Sequence, residues 1–145
     1  LNLLDSHDTE RFLTLAKKNG KDERSLLCSL AIMFFLPGMP CIYYGTEIGM
    51  EGGYDPDCRR TFDWNRKNWN MRVYATVINL IRLRKCIKGD VTYSAENGIL
   101  LIGRGDLILA VNNGTEKRRT KILHKEYEIG PFEFIIINIK EGEVL

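Results

Sequence analysis

An adjacent imidazole and carboxylate, His7 and Asp8, closely follow an apolar segment at residues 1–4. A pair of this kind at the end of a strand can serve in acid–base, nucleophilic, metal-binding or electrostatic chemistry, and the imidazole can donate a hydrogen bond to a substrate hydroxyl. The same residues have a structural interpretation, because Ser6 or Asp8 could simply cap the helix that follows. A histidine-based metal site is disfavoured, since the only other histidine is His124.

Aromatic and acidic residues at the end of a second apolar segment form another candidate. Tyr43 and Tyr44 are followed by Gly45 and Glu47. Aromatic faces at a strand end could stack on a flat apolar ligand such as a sugar ring, and the competing interpretation is that both tyrosines are half-buried core residues. These residues alone leave both interpretations open.

The segment Asp-Pro-Asp-Cys-Arg-Arg at residues 55–60 is a third candidate, with Trp64 and Trp69 downstream. Carboxylate and guanidinium groups beside aromatic rings suit ligands with many hydroxyl groups, because such ligands offer both donors and acceptors. The alternative is a structural ion pair that fixes the loop. The two interpretations have equal support from this segment.

Regular elements must hold these residues in place. Apolar segments predict short strands at residues 1–4 and 40–44, so that the first two candidates lie at strand ends. Helical spacing of apolar residues predicts helices over residues 9–18, 22–36 and 70–86, which Thr9, Asp22 and Asn70 would begin. Residues 45–69 show no period, and a loop of that length inside a compact protein is usually functional.

Beyond Asp90, short strands alternate with turn dipeptides. The predicted strands are residues 92–93, 99–103, 107–111, 121–124 and 132–139. The chain begins with alternating strands and helices and continues with strands alone. This order indicates an α/β layer and then a small antiparallel β module. The boundary lies near residue 88, which gives two predicted domains, 1–88 and 89–145.

Composition and charge limit the class of protein. The 145 residues are 44% hydrophobic and 28% charged, as in a globular protein with a sizeable core. A net charge of +2, interspersed along the chain, predicts no nucleic-acid or membrane-surface partner, and no apolar stretch reaches the roughly 18 residues that cross a bilayer. The four cysteines form no CxxC pair and predict reduced thiols in a cytoplasmic setting. Leu1 lies in mid-strand, so we expect the true amino terminus of a longer parent protein, with any targeting signal it has, to precede it.

Three segments together resemble the α-amylase family, family 13 of the glycoside hydrolases. Asn-Leu-Leu-Asp-Ser-His-Asp-Thr-Glu-Arg-Phe-Leu at residues 2–13 resembles the last of the family's short signature regions. Residues 37–50, from Pro-Gly-Met-Pro to Glu-Ile-Gly-Met, look like its eighth barrel strand, and residues 52–60 with Phe-Asp-Trp at 62–64 resemble the loop after it. The combination is most similar to the neopullulanase, cyclomaltodextrinase and maltogenic amylase group. The match is close over residues 1–87, whereas the β module fits the family's carboxyl-terminal sandwich only in kind.

The resemblance implies an α/β fold followed by an all-β one: the last strands and helices of a (β/α)8 TIM barrel, then a small antiparallel β-sandwich. It also implies a part of a retaining α-glucan hydrolase. The bonds cleaved would be α-1,4, with α-1,6 as a further class, in maltodextrin, cyclodextrin, pullulan or starch. No cofactor or metal is expected. The exact substrate, and hydrolysis as against transglycosylation, depend on residues before Leu1.

The resemblance further implies roles for four residues. Asp8 would stabilise the transition state by binding sugar hydroxyls in the subsite that is cleaved, and His7 would bind hydroxyls of the same ring. Asp55 and Arg59 would contact glucose units further toward the non-reducing end.

Tyr44 and Glu47, from the second segment, are lower-ranked candidates for substrate binding. The sequence departs from the family at Thr46, where relatives often carry an acidic residue before the glutamate. No family role therefore transfers to that position.

Retaining hydrolysis requires a nucleophilic carboxylate and an acid/base carboxyl about 5 to 5.5 Å apart across the sugar. In the family these groups come from barrel strands four and five, which would precede Leu1. We therefore expect this chain alone to have no glycosidase activity. Part of a barrel also leaves strand edges and apolar faces uncovered, so it would repack, self-associate through those faces or be held by its β module.

A non-catalytic carbohydrate-binding module, with the barrel segment attached, is the competing function. The aromatic residues after Asp90 are Tyr93, Tyr127, Phe132 and Phe134. No tryptophan among them supplies a sugar platform, so we favour a packing role for the β half.

Overall fold

A computed structural model describes all of residues 1–145. Three α-helices occupy the first part of the chain: α1 (Phe12–Lys18), α2 (Glu23–Phe35) and α3 (Met71–Cys86). Short 3-10 turns at Thr46–Ile48, Asp57–Arg59 and Arg66–Asn68 lie in the long loop before α3. Seven strands follow: β1 (Val91–Glu96), β2 (Ile99–Arg104), β3 (Leu107–Asn112), β4 (Arg118–Ile122), β5 (Lys125–Ile129), β6 (Glu133–Asn138) and β7 (Glu143–Val144). None of the helices has the length and apolar character that crossing a bilayer requires.

The predicted starts of α2 and α3 are confirmed. The Asp22 side chain accepts a hydrogen bond from the backbone N–H of Arg24. The Asn70 side chain accepts from the backbone N–H groups of Arg72 and Val73. Both side chains satisfy donors that have no partner within the helix, which is why these residue types favour helix starts.

The predicted start of α1 is wrong. The helix begins at Phe12 rather than near Thr9, and its first N–H donates to Asp5 Oδ1 at 2.6 Å. The Thr9 hydroxyl instead accepts from the backbone N–H of Ser6 at 3.3 Å. Neither Ser6 nor Asp8 caps the helix, because Asp5 reaches over the intervening turn to fill that position. The carboxylate of Asp8 is consequently not used in helix capping.

The strands predicted at residues 1–4 and 40–44 are shorter than expected. One parallel bridge joins Asn2 to Pro40, through hydrogen bonds from Asn2 N to Met39 O at 2.8 Å and from Cys41 N to Asn2 O at 2.7 Å. The bridge does not lengthen because the chain already turns after Tyr43, whose carbonyl accepts from the N–H of Thr46. The two segments are nevertheless parallel neighbours, with α1 and α2 between them in sequence.

The β half contains two antiparallel sheets. The larger has the strand order β1-β2-β3-β6-β7, and β4 pairs with β5 in the smaller. The predicted strand at 121–124 is wrong in its bounds, because β4 ends at Ile122 and the chain turns at Leu123 and His124, both with positive φ. Strands β5 and β7 were not predicted: β5 is Lys-Glu-Tyr-Glu-Ile, with only Ile129 fully buried, and β7 has two exposed residues.

One hydrophobic core connects the helices to the larger sheet. Its 18 buried residues include Leu30 and Phe35 of α2, Val77 of α3, Leu109 of β3 and Ile136 of β6. A second, smaller cluster fills the space between the larger sheet and the β4–β5 hairpin. The helical and β parts therefore bury apolar surface against each other, and the predicted boundary near residue 88 stays a prediction.

Two arginines satisfy the last carbonyl groups of α2. Arg104 Nη1 donates to the carbonyl of Leu36 at 2.9 Å, and Arg84 Nη1 donates to the carbonyl of Phe34 at 2.8 Å. The helix C-terminus has carbonyl groups without partners in the helix, and a cation there is favourable. Since Arg84 belongs to α3 and Arg104 to β2, these contacts also join three elements.

The four cysteines are free thiols in different environments. Cys28 and Cys58 are buried, Cys41 is half-buried and Cys86 is exposed. Burial raises the pKa of the Cys28 thiol to about 12, because an apolar environment disfavours the thiolate.

Candidate functional site

The four first-ranked candidate residues meet at one place. His7 and Asp8 lie on the segment between the bridge and α1, and Asp55 and Arg59 lie on the long loop. Arg59 Nε donates to the His7 carbonyl at 3.0 Å and lies 2.8 Å from Asp55 Oδ1. Arg59 Nη2 lies 3.5 Å from Asp8 Oδ1. One guanidinium thus contacts both segments and two carboxylates.

The imidazole and carboxylate of the His-Asp pair also contact each other. His7 Nε2 lies 3.1 Å from Asp8 Oδ2. Their side chains are 65% and 66% exposed, and those of Asp55 and Arg59 are about half exposed. Exposed ion pairs contribute little to stability, about 0–1 kcal/mol. The cluster is therefore open to a ligand, and it offers a donor, two acceptors and a cation to hydroxyl groups.

The ion pair that the sequence offered as an alternative does exist, between Asp55 and Arg59. A second pair in the same loop, Asp57 with Arg60, has a purely local function. Asp57 Oδ2 accepts from the backbone N–H of Gly53 at 2.6 Å, and its Oδ1 accepts from Arg60 Nε at 2.7 Å. The Gly53 N–H and then the Arg60 guanidinium lower the pKa of Asp57 below its usual range. Asp57 therefore closes the loop that carries the exposed pair.

Close packing fixes the same loop against the His-Asp segment. Cys58 is fully buried, and its Sγ donates to the His7 carbonyl at 3.0 Å. A Cβ on Gly52 would lie 2.6 Å from the backbone oxygen of Asp57, so only glycine fits there. The position of Arg59 relative to Asp8 is thus set by the buried Cys58 side chain and by close packing at Gly52 as well as by the ion pair.

A buried polar pair, Asp5 and Thr46, adjoins the segment of the exposed cluster, and no pattern in the sequence predicts it. Asp5 is 4% exposed and Thr46 is 2% exposed. The Thr46 hydroxyl donates to Asp5 Oδ2 at 2.6 Å, while Asp5 Oδ1 accepts from the N–H of Phe12. An acidic residue at position 46 would bring a second negative charge to this carboxylate, so threonine suits the position. The available signal was an aspartate directly after an apolar run.

Arg11 is a third buried polar residue for which the sequence predicted no role. Its side chain is fully buried, its Nη1 donates to the carbonyl of Tyr44 at 2.9 Å, and its guanidinium lies 4.8 Å from the ring centre of Tyr43 and 5.2 Å from that of Tyr44. Its backbone N–H donates to the carbonyl of Gly52 at 3.0 Å. Nε and Nη2 have no hydrogen-bond partner. Arg11 therefore connects the His-Asp segment to both tyrosines and to the long loop.

The two lower-ranked candidates occupy different environments. The Tyr44 hydroxyl donates to the carbonyl of Arg60 at 2.9 Å, and its ring is 38% exposed. Glu47 lies in the 3-10 turn at Thr46–Ile48, where its Oε2 is buried without a hydrogen-bond partner. Tyr44 is thus tied to the site loop, whereas no hydrogen bond or ion pair joins Glu47 to the exposed cluster.

Several chemical functions follow from this geometry. The exposed cluster can bind a ligand rich in hydroxyl groups, and the Asp8 carboxylate can stabilise positive charge that develops on it. No group of three or more histidine, cysteine or carboxylate side chains has the arrangement of a metal site. The roles of His7, Asp8, Asp55 and Arg59 stay predictions.

Comparison with known sequences adds independent information. The family described as "Alpha amylase, catalytic domain" matches residues 1–92. The cyclomaltodextrinase of Thermoanaerobacter pseudethanolicus is 38% identical over 133 residues, which cover 86% of this chain and 22% of that protein. Neopullulanase 2 of Thermoactinomyces vulgaris is 52% identical over 83 residues, which cover 57% of this chain and 14% of that protein. The chain therefore spans about a fifth or less of the length of these curated relatives.

Solved structures show the same relationship in three dimensions. A maltogenic amylase from S. marinus aligns over 94% of this chain and 22% of its own, with 29% identity and a TM-score of 0.84. An α-amylase from Geobacillus thermoleovorans, solved in complex with acarbose, aligns over 92% of this chain and 37% of its own, with 25% identity and a TM-score of 0.79. Both alignments include the helical and the β parts.

Proposed function

The chain belongs to the α-amylase family, and on that premise we propose that it supplies one side of the glucan site of a retaining α-glucan hydrolase. Asp8 would stabilise the positive charge of the transition state, and His7 would bind hydroxyls of the same ring. Asp55 and Arg59 would hold the neighbouring glucose units. The relatives named above are glucan-hydrolysing enzymes of this family.

One observation carries this proposal. The Arg59 guanidinium joins the His7 carbonyl and the Asp8 carboxylate, although Arg59 and His7 are 52 positions apart in sequence. The four candidate residues belong to two segments that are far apart in sequence, and the fold brings them into one exposed cluster. A fixed guanidinium between carboxylates is also suited to binding vicinal hydroxyls, because it donates where the carboxylates accept.

The proposed architecture is the last part of a (β/α)8 barrel followed by a β-sandwich. The parallel bridge between Asn2 and Pro40 supports it, because parallel neighbours joined through helices form the repeating unit of such barrels. The proposed domains are residues 1–88 and 89–145. For the β half we propose a packing role, which its shared core with α2 and α3 favours.

The proposed substrates are α-1,4-linked glucans, with α-1,6 bonds, cyclodextrin and pullulan as further classes. The name cyclomaltodextrinase and the acarbose complex each refer to a related protein and support this substrate class. We propose that the chain alone does not hydrolyse them. Asp8 and Asp55 both contact Arg59, so neither is placed as a free acid opposite a nucleophile across a sugar ring.

Exposed apolar residues support a further part of the proposal. Leu1, Leu3 and Met39 flank the parallel bridge and are 81%, 47% and 66% exposed. Such a surface favours self-association, or packing against the rest of a barrel. Analytical ultracentrifugation tests the first option, and a monomer at all concentrations would count against it. A cytoplasmic location is likewise proposed, from the four free thiols.

Calorimetric titration of the chain with acarbose or maltoheptaose tests the proposed site. We expect binding that Asp8→Asn and Arg59→Gln weaken by at least tenfold, whereas Glu126→Gln, an exposed carboxylate on β5, leaves it unchanged. Equal affinity in all four proteins would refute the site. A reducing-sugar assay with maltodextrin and cyclodextrin tests the activity, and we expect no release above the blank.

A further inference from the structure

A groove of about 700 Å³ lies beside the exposed cluster. Its walls include Glu51, Arg60, Asp63, Trp64 and Asn68. Its volume lies within the range of sites that bind small molecules, about 300–1,000 Å³. Arg60 and Trp64 belong to the third candidate segment of the sequence, whereas none of the residues with an assigned substrate contact, His7, Asp8, Tyr44, Glu47, Asp55 and Arg59, lines the groove.

The most exposed aromatic residue of the chain forms one wall. The Trp64 residue is 82% exposed, although indole rings are on average highly buried in proteins. Burial of a large apolar side chain is favourable by about 1.5–3 kcal/mol of transfer free energy, which an indole in water does not gain. Trp64 therefore has apolar surface free to contact another molecule.

The Trp64 ring is held in place by other aromatic rings. Its centre lies 4.7 Å from that of Phe62 in an edge arrangement, and Phe62 contacts Trp69 at 5.9 Å. Trp69 in turn contacts Tyr74 of α3 at 5.2 Å. The exposed indole is thus the outer end of a row of edge and tilted ring contacts that leads to α3, and its contact with Phe62 reduces the side-chain freedom that binding would remove.

Hydrogen bonds fix the turn beneath this stack. Asp63 Oδ1 accepts from the N–H of Asn65, and Oδ2 accepts from Asn68 Nδ2, both at 2.8 Å. Both bonds lower the pKa of Asp63 below its usual range, and the bond from Asn68 has the larger effect. Trp69 Nε1 also donates to the Asp63 carbonyl at 2.7 Å. The groove wall is therefore built before any ligand arrives.

One residue connects the groove to the site. Arg60 lines the groove, follows Arg59 directly in sequence, and accepts the Tyr44 hydroxyl at its carbonyl. Glu51, Asp63 and Asn68 line the same groove as the indole. An apolar ring beside polar groups suits a sugar ring, whose faces carry C–H groups and whose edge carries hydroxyls.

We propose that Trp64 and this groove form an additional binding site for the same α-glucan chain, which gives preference to longer glucans. The site would contact glucosyl units that continue past Asp55 and Arg59. This inference rests on the proposed function, because it assigns the groove to the substrate that the exposed cluster would bind.

The experiment compares maltose with maltoheptaose by calorimetry on the intact chain. In wild type we expect maltoheptaose to bind more tightly than maltose. Trp64→Ala is expected to lower the ratio of the two affinities by roughly two- to tenfold, and Trp64→Tyr to restore part of it. Tyr93→Ala, which removes a 55% exposed ring from β1, is the matched control and leaves the ratio unchanged. Circular dichroism verifies that each variant is folded.

Fluorescence gives a second readout at Trp64 itself. The chain has two tryptophans, so the difference between wild type and Trp64→Phe isolates the exposed indole. We expect saturating maltoheptaose to shift its emission to the blue and to protect it from acrylamide quenching. Unchanged quenching, or an unchanged affinity ratio in Trp64→Ala, would overturn the inference.

The test separates this inference from the proposed function. If His7→Ala weakens both ligands while Trp64→Ala changes neither, the exposed cluster binds glucan and the groove does not. If Trp64→Ala weakens binding while His7→Ala has no effect, the groove binds glucan and the proposed role of His7 is wrong. Absence of glucan binding in wild type would overturn both.

Discussion

The Thr46 hydroxyl donates a hydrogen bond of 2.6 Å to the carboxylate of Asp5, and both residues are almost completely buried. The other Asp5 oxygen accepts the first N–H of α1. One buried carboxylate therefore joins the turn after the second apolar segment to the helix that follows His7 and Asp8. The exposed cluster rests on this contact, which gives the first prediction.

Thr46→Val keeps the shape of the side chain and removes the hydroxyl. Asp5 Oδ2 then loses its donor, and a buried acceptor without a partner costs about 1–3 kcal/mol. We expect the free energy of unfolding in urea to fall by that amount. Thr9→Val, which removes an exposed hydroxyl bonded to Ser6, is the control and is expected to change stability by less than about 0.5 kcal/mol. Equal effects of the two substitutions would contradict the prediction.

Two substitutions at Arg11 test its contribution to the stability of the fold separately from its contribution to the position of the long loop. Arg11→Ala leaves a cavity and removes the donor to Tyr44, so stability is expected to fall by about 2–4 kcal/mol. Arg11→Met fills most of the volume and eliminates the two buried nitrogens that have no partner, so its stability is expected to remain within about 1.5 kcal/mol of wild type.

Both Arg11 variants are expected to loosen the long loop, because each loses the bond to the Tyr44 carbonyl. Limited proteolysis measures this effect, and the cleavage rate within residues 50–62 should increase in both. A loop that stays as resistant as in wild type in Arg11→Met would show that the backbone hydrogen bond to the Gly52 carbonyl and the Cys58 side chain are sufficient to hold it.

Because the Asp57 carboxylate closes the loop, we expect its ionisation to make the stability of the chain depend on pH. Its pKa in the folded chain is lowered, chiefly by the Gly53 N–H and then by Arg60. A lowered pKa means that the ionised form stabilises the fold above the ordinary value, near pH 4, and that this contribution is lost as pH falls through the lowered pKa. Asp57→Asn should therefore reduce the difference in stability between pH 6 and pH 3, measured by urea unfolding. An identical difference in both proteins would contradict this.

Thiol reactivity is expected to follow burial. Cys86 is exposed, whereas burial raises the pKa of Cys28 to about 12 and Cys58 is fully buried. At pH 8, Ellman's reagent should label Cys86 first, with Cys41 next, and should reach Cys28 and Cys58 only on unfolding. Cys86→Ser should remove the fast phase. Rapid labelling of all four thiols in native buffer would be inconsistent with the described packing.

Local signals in the sequence were sufficient for the starts of α2 and α3. Asp22 and Asn70 stand directly before amphipathic or apolar helices, and their side chains bond to the nearest N–H groups. The start of α1 could not be obtained in this way. Asp5 lies seven positions before Phe12, and only the tertiary path of the chain brings the two together.

Residue types and positions made the exposed site residues candidates, whereas their individual roles came from the family resemblance. The meeting of His7 with Arg59 depends on how the long loop folds back, which no local periodicity encodes. The buried residues beneath them were missed because charged side chains are ordinarily assigned to the surface. Similarly, β5 was missed because three of its five residues are charged, so its sequence shows no apolar alternation.

The separation between Asp5 and Asp8 has a consequence for how this surface can evolve. The carboxylate that begins α1 and the carboxylate that faces solvent are different residues. The substitution Asp8→Asn would replace the exposed charge by an amide while the helix and its buried support stay intact. Such a variant would lack the Asp8 carboxylate but would still fold stably. It could then be selected for binding a ligand without converting it.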